Sequence, residues 1–403
     1  MDPVTEGSRF SPPKFTSASS RVSRVRRNDV LFERAAVSLL NDVGWDHLSV
    51  RSVSSRCGLT PGAFYSRFEH MEDLAATVWT SVLGDAICRP ISVAIETLRA
   101  KDERGFIDAM RHFAAPSAQM TAAIELLEAS LFDEALSQRV GAEFVRFVDS
   151  DTSVAGNEVV QATVAATVIY LALGLVLFAQ RSWTRGDNLD DELRRYFAAL
   201  RTPGDPVQTP TAPIATYLYE QPFATGDERL DLLLSAATTT FGELGFHKAT
   251  VQKICKSAGV STGFMMGRFA SKLDLFSTMT EMTWERAITD SNEFIVKVAA
   301  ERGAGVAEAV AWRELQNPAL RNKQRLAVET NRMMRFFPEI DALATAKELD
   351  SFASLTGGGP TPFIHTEMAL GIGMVMASLF LPELCELPYS CVTEPLVATT
   401  QLG

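Results

Sequence analysis

Gly58-Leu59-Thr60-Pro61-Gly62-Ala63-Phe64-Tyr65-Ser66-Arg67-Phe68-Glu69-His70-Met71-Glu72-Asp73-Leu74 decides how the rest of the chain is read. Gly58 suits the left-handed position that ends a helix. Thr60 is placed to cap the next helix, with Pro61 at its first turn, where a missing N–H costs nothing. Phe64 and Phe68, four apart, share the buried side of that short helix. Thr60, Pro61, Ala63, Tyr65 and Arg67 are left near or on its open side. Small and polar groups, an aromatic hydroxyl and an arginine on a short helix fit a DNA major groove. Taken alone, the stretch fits an ordinary helical hairpin equally well.

The stretch recurs 201 residues later: Gly259, Val260, Ser261, Thr262, Gly263, Phe264, Met265, Met266, Gly267, Arg268 and Phe269 lead on to Asp274 and Leu275. Upstream, Leu31, Ala35, Ala36, Leu39, Leu40 and Val43 recur at helical spacing, and Gly44, Trp45 and the cap residue Ser49 follow. The second copy answers with Leu232, Ala236, Ala237, Phe241, Leu244, Gly245, Phe246 and Thr250, and Val50, Val53 and Cys57 match Val251, Ile254 and Ala258. Agreement of turn, cap and core face over this length, without an insertion, is an internal duplication. A support helix followed by two short helices joined at a glycine is the helix-turn-helix arrangement.

At 403 residues the chain is too long for one core. Its net charge of −11 argues against polyanion binding by the whole surface, though not against a local cationic face. Cys57, Cys88, Cys255, Cys385 and Cys391 follow no metal spacing and read as reduced core thiols, which with the polar N-terminus points to the cytoplasm. The run from Ala162 to Ala179 would just span a bilayer, but Thr163, Thr167 and its alanines favour a helix buried in protein, so no membrane is expected. No block alternates with period two, so an all-α protein is expected. Helical segments are expected near 72–99, 104–115, 118–149, 157–183 and 188–201, and again near 272–300, 304–315, 318–335, 340–354 and 363–381. Residues 1–27 are polar and basic and are expected to be disordered, with Arg24, Arg26 and Arg27 available to lie along phosphates or a minor groove.

Both units resemble the DNA-binding domain of the TetR family of bacterial transcriptional regulators. The resemblance rests on Ala35, Ala36, Gly44, Trp45, Ser49, Gly58, Leu59, Thr60, Gly62, Phe64, Tyr65, Arg67, Phe68, Glu72 and Leu74. In the second unit it rests on Ala236, Ala237, Gly245, Phe246, Thr250, Gly259, Val260, Ser261, Gly263, Arg268, Phe269, Lys272 and Leu275. It implies two TetR-like repeats, each a three-helix DNA-binding domain followed by a helical ligand-binding and dimerisation bundle, together an intramolecular pseudo-dimer. The expected division is a basic arm at 1–27, DNA-binding domains at 28–75 and 227–276, regulatory domains at 76–201 and 277–403, and a proline-rich linker at 202–226.

The resemblance also assigns roles. Ser49 and Thr250 would cap the second helix and touch a phosphate. Thr60, Pro61, Gly62 and Ala63 would enter the major groove, as would Ser261, Thr262, Gly263 and Phe264. Tyr65 would bond a phosphate or pack on a thymine methyl, and Arg67 would reach a phosphate or a guanine edge. Arg51, Lys253, Arg268 and Lys272 add cationic contacts. Neither copy is intact: the family's lysine is Met71 in the first, and its tyrosine is Met266 in the second. Either the second unit reads a different half-site through apolar contacts, or it has lost direct readout and serves packing and phosphate contact.

A pocket for a small apolar or amphipathic effector is likewise implied by the family. Candidate lining residues are Trp79, His112, Phe113, Phe132, Phe147 and Tyr170, then Trp284, Trp312, Met334, Phe337 and His365; each is also what a bundle core uses. The closing helix of the first repeat, Asp190 to Leu200, looks broken or absent in the second, where Pro382, Pro388 and Pro395 intervene. An asymmetric pairing and an imperfect palindromic operator follow, with further pairing of two chains left open. The expected function is a ligand-responsive repressor on double-stranded DNA. The alternative is a protein-interaction or ligand-sequestering module that has lost DNA readout. No nucleophile elbow, metal-ligand spacing or cofactor motif is present, so neither an enzyme nor a bound cofactor is expected.

Overall fold

Helix α1 (Ser17–Val43) begins well before the apolar spacing does, and the expectation of a disordered arm is corrected for residues 17–27. No glycine or proline interrupts that stretch. Once the packed half of α1 has formed, extending it costs little. In the computed structural model, residues 17–152, 158–179, 188–207, 223–342 and 364–400 are described, together with Arg181 and Thr345. Residues 1–16, the linker core 208–222 and the Gly357–Pro360 run lie outside these.

Gly44 turns the chain at φ 76°, a left-handed value that glycine takes without strain. Ser49 caps α2 (Val50–Cys57) in a reciprocal box with Ser52, and Gly58 ends it at φ 67°. Thr60 caps α3 (Pro61–Tyr65) through the Ala63 N–H at 3.3 Å. Phe32, Phe64 and Phe68 meet with ring centroids 5.2–5.8 Å apart and close the small core of this unit.

The chain then runs as α4 (Met71–Val78), one wide turn, and α5 (Gly84–Arg99). Next come α6 (Glu103–Ala114) and α7 (Ala118–Ser130). The single helix expected over 118–149 is broken after Ser130. Asp133 caps a new turn, α8 (Glu134–Leu136), through the Leu136 N–H, and the chain continues into α9 (Ala142–Thr152). Two helices close this half, α10 (Glu158–Phe178) and α11 (Leu189–Arg201).

The second half repeats the plan. α12 (Glu228–Lys248) bends at Gly245, φ 73°, as α1 ends at Gly44. Thr250 caps α13 (Val251–Ala258), Gly259 ends it at φ 66°, and Ser261 caps α14 (Thr262–Met266). Met265 is fully buried where the first unit has Phe64. α15 (Lys272–Arg302), α16 (Ala304–Leu315), α17 (Arg321–Phe336) and α18 (Ile364–Phe380) follow. The closing helix thought broken or absent is present as α19 (Ser390–Thr400), with Pro395 inside it. It is held by its neighbours: Gly204 N–H donates to Cys391 O at 2.8 Å, and Thr393 Oγ1 to Gly305 O at 2.7 Å.

The apolar run that could have crossed a bilayer is α10, and 78% of its most apolar stretch is buried within the protein. Its main cover is α18. The two backbones touch at Gly174 and Gly373: a Cβ on Gly174 would lie 1.6 Å from Ala369 O, and one on Gly373 1.9 Å from Tyr170 O. One continuous core therefore runs from α1 through α10 into α16, α18 and α19, while α12–α14 close a second core with Met333 and Met334 of α17.

Candidate nucleic-acid interface

Every described residue assigned to the outer face of the first unit is accessible. Arg26, Arg27, Ser49, Arg51, Thr60, Pro61, Gly62, Tyr65 and Arg67 are exposed, and Ala63 is half-buried. Tyr65 has 61% of its surface open, unusual for an aromatic residue. Arg51 has no ion-pair partner among the described residues. Arg67 is committed: its guanidinium forks onto Asp29 of α1 at 2.6 and 2.8 Å. The Arg24 side chain lies outside the described residues.

The second unit shows the same outline with different chemistry. Thr250, Lys253, Ser261, Thr262, Gly263 and Arg268 are exposed, and so is Met266 at 53% where the first unit has Tyr65. Phe264 is half-buried between two cations, with the Arg268 guanidinium 3.7 Å and that of Arg229 4.2 Å from its ring centre. Arg268 also pairs with Asp227 at 2.7 Å. Both motif arginines are thus tied to the first helix of their own unit or its cap. Lys272 departs most from its assigned phosphate contact. Its Nζ donates to Phe246 O at 2.7 Å and Ala249 O at 3.0 Å, over the Phe246 ring, and half-burial lowers its pKa. It caps carbonyls at the end of α12 instead of facing outward. Its counterpart Met71 packs against the core.

Two segments, residues 34–78 and 233–279, match the sequence profile of "Bacterial regulatory proteins, tetR family". The chain carries two tandem TetR-like DNA-binding-type domains. A stretch of the chain is also similar to the HTH-type transcriptional regulator UidR of Escherichia coli K12 and to that of Shigella flexneri. Identity is 38% over 61 residues, 15% of this chain. The match spans 31% of each relative's length.

The two TetR-like domains meet. The rings of His47 and His247 pack edge to face with centroids 4.5 Å apart, and burial lowers the pKa of His247. Lys248 Nζ reaches across to Phe132 O at 2.8 Å and Asp133 at 3.1 Å. Lys248 and Lys272 are thus both engaged inside the protein, and Lys272 is removed from the cationic contacts expected of the second domain.

The candidate effector residues do not share one cavity. Tyr170 and Trp312 come together with Tyr389: the Tyr170 hydroxyl lies 2.8 Å from that of Tyr389 and donates to Gln316 Oε1 at 2.9 Å, and Trp312 packs on the Tyr389 ring. Trp79 and Phe113 lie in the main core, and Met334 in the second with Phe337 against it. Phe132 is half-buried under Arg325, Phe147 is half-buried beside Phe144, and His112 is exposed. The side chains of Trp284 and His365 lie outside the described residues. A cavity of about 230 Å³ opens elsewhere, between α5, α10 and α11. Ile95, Leu98, Val164, Ala165 and Leu200 floor it, and Arg99, Lys101, Gln161 and Arg201 complete its lining.

Sequence reasoning missed the acids that clamp the motif arginines, Asp29 and Asp227, and a cluster of the buried Glu125, Glu128, Glu329 and Arg332 with the half-buried Asp46 and Arg335. A signal for the cluster was available. Glu125 and Phe132 recur 204 residues later as Glu329 and Phe336, a duplication that continues past the motif after a shift of three positions.

Proposed function

We propose that the chain is a DNA-binding transcriptional regulator whose TetR-like domains form an intramolecular pseudo-dimer and read the two halves of one imperfect palindrome. One observation carries this reading. Gly62 and Gly263 occupy the second position of exposed helices with ordinary helical φ, and a Cβ on either would meet only a hydroxyl oxygen of its own cap, at 3.7 or 3.8 Å. Nothing inside the protein requires glycine there, and it weakens a helix by roughly 0.5–1 kcal/mol. The requirement therefore comes from outside, from a surface that α3 and α14 approach closely. A groove lined by phosphates and base edges fits the caps, Tyr65 and Arg51 around them.

The regulator is a repressor released by a small amphipathic effector. The cavity between α5, α10 and α11 fits such a molecule, with apolar floor and cationic edge, and occupation would bias the bundle toward a shape that separates the reading helices wrongly. A second reading applies to the second domain alone. With Lys272 turned inward, Lys248 engaged by Asp133 and Phe264 held between two arginines, this domain serves phosphate contact and packing while the first reads sequence.

A mobility shift with DNA from upstream of the chain's own gene, at two salt concentrations, tests the proposal. The expected result is a shift that weakens steeply with salt, as released counterions require. No shift at low salt defeats it and favours the interaction-module alternative.

A further inference from the structure

We infer that Arg332 is the positioning residue that fixes the two TetR-like domains relative to each other. α7 and α17 are counterparts, with Glu125, Glu128 and Phe132 answered by Glu329, Arg332 and Phe336. Glu125 Oε1 accepts the Trp45 N–H at 2.7 Å, and Glu329 Oε1 accepts the Phe246 N–H at 2.5 Å. Each fully buried carboxylate thus holds the backbone just past the turning glycine of its own domain. The rings cross over. Phe336 lies 3.0 Å from where a Cβ on Gly44 would stand, and Phe132 lies 3.2 Å from that of Gly245. Each turn is therefore gripped by the acid of its own half and the aromatic ring of the other.

Arg332 joins the two grips. Its Nη2 lies 2.6 Å from Glu125 Oε1, its Nε 3.2 Å from Glu125 Oε2, and its Nη1 2.7 Å from Asp46 and 3.5 Å from Glu329. One guanidinium contacts the carboxylates that hold both domains, which its planar fork allows and a point charge would not. Arg335 lies nearby, half-buried, and among the described residues the acids it bonds are Glu125 and Glu128, both on α7. The counterpart of Arg332 is Glu128, of opposite charge. In a pairing of two first halves Glu125 would face that acid, so the junction suits a first half against a second half. Removing Arg332 leaves Asp46, Glu125 and Glu329 without their shared cation, and the two turns lose their common anchor.

The purpose of this device rests on the DNA-reading proposal, but its test does not. Spin labels replace Tyr65 and Met266, both exposed on the reading helices, through an unnatural amino acid so that the native cysteines stay. Pulsed electron resonance on the full chain without DNA then gives the distance distribution. The parent is expected to give one narrow peak, Arg332→Met to widen it about twofold, and Arg335→Met, which leaves the Arg332 junction in place, to widen it less. Should Arg332→Met fail to fold, Arg332→Lys, which keeps the charge without the fork, is expected to widen the peak by a smaller factor. An unchanged width in the Arg332 variant that folds, or equal widening by Arg335→Met, overturns the inference. Unlabelled proteins are then tested on DNA with varied half-site spacing, where loss of spacing preference in the Arg332 variant alone is expected. If none binds DNA while the distances behave as expected, the regulator proposal fails and the positioning role stands.

Discussion

Replacing Gly174 by alanine should unseat α10 from α18. The added Cβ would stand 1.6 Å from Ala369 O and 2.3 Å from its carbonyl carbon, where ordinary contact begins at 3.4 Å. Both atoms are backbone, so no rotamer relieves the clash and the helices must part locally by nearly 2 Å. Tyr170, Leu171, Leu173, Val176, Ala369, Leu370, Met374 and Ala377 are buried around the crossing. A radial gap of about 0.5–1 Å already forfeits a quarter to a half of each dispersion contact. Tyr170, whose carbonyl faces Gly373 at the crossing, also holds Gln316 and Tyr389 through its hydroxyl, at 2.8–2.9 Å. Strain of about 1–3 kcal/mol and a comparable cost for stranded polar groups give a loss on the order of 4 kcal/mol. At a urea slope of about 2–3 kcal/mol/M the unfolding midpoint should fall by roughly 1–2 M, followed by far-UV circular dichroism. Gly62→Ala is the control, since its Cβ would make only an ordinary contact with Thr60 Oγ1 at 3.7 Å. A Gly174→Ala midpoint within about 0.3 M of the parent would show that the two helices do not cross with their backbones in contact.

Gly62→Ala and Gly263→Ala should keep or slightly raise stability, by up to about 1 kcal/mol, yet weaken operator binding about tenfold or more. Anisotropy titrations showing undiminished affinity would remove the external reason for those glycines. Arg67→Ala should weaken binding more than Arg268→Ala, because Arg268 is engaged by both Asp227 and the Phe264 ring; equal losses count against a dominant first domain. Glu308, whose carboxyl accepts from Trp312 Nε1 at 2.7 Å, has its pKa pushed up to about 7 by burial, against 4.5 unperturbed. The fold holds that proton between the two values. This contribution to stability is therefore full below about pH 4.5 and lost as pH rises through 7, on the order of 3 kcal/mol in all. Melting curves at pH 5 and 8 should differ more in the parent than in Glu308→Gln, and an equal difference in both rules that origin out.

The paired motif was legible because its signals are local. Gly58 and Gly259 take left-handed φ, Ser49, Thr60, Thr250 and Ser261 cap the helices that follow them, and Phe64, Phe68 and Phe269 are buried at the spacing that marked them. What spacing cannot show is where a long side chain ends. Lys272 looks like a phosphate contact by position, yet its stem carries the ammonium back to the carbonyls of Phe246 and Ala249. The prolines after Leu381 suggested that no helix closes the second half, but α11 and α16 supply the packing that holds α19 in place despite Pro395. The aromatic residues proposed to line a pocket were marked by composition alone, which does not distinguish a cavity wall from a filled core.

The sequence by itself determined that there are two helix-turn-helix units, where each turns, and which face each leaves open. Those properties depend on backbone φ, caps and residues three or four apart. Only the tertiary structure decided how the two units stand to one another. That relation depends on contacts between residues some two hundred positions apart: Gly174 against Ala369, Glu125 against Arg332, and Phe132 and Phe336 on each other's turns. A buried acid shows its worth only when the cation that neutralises it has been placed, and for Glu125 that cation lies on the other half of the chain.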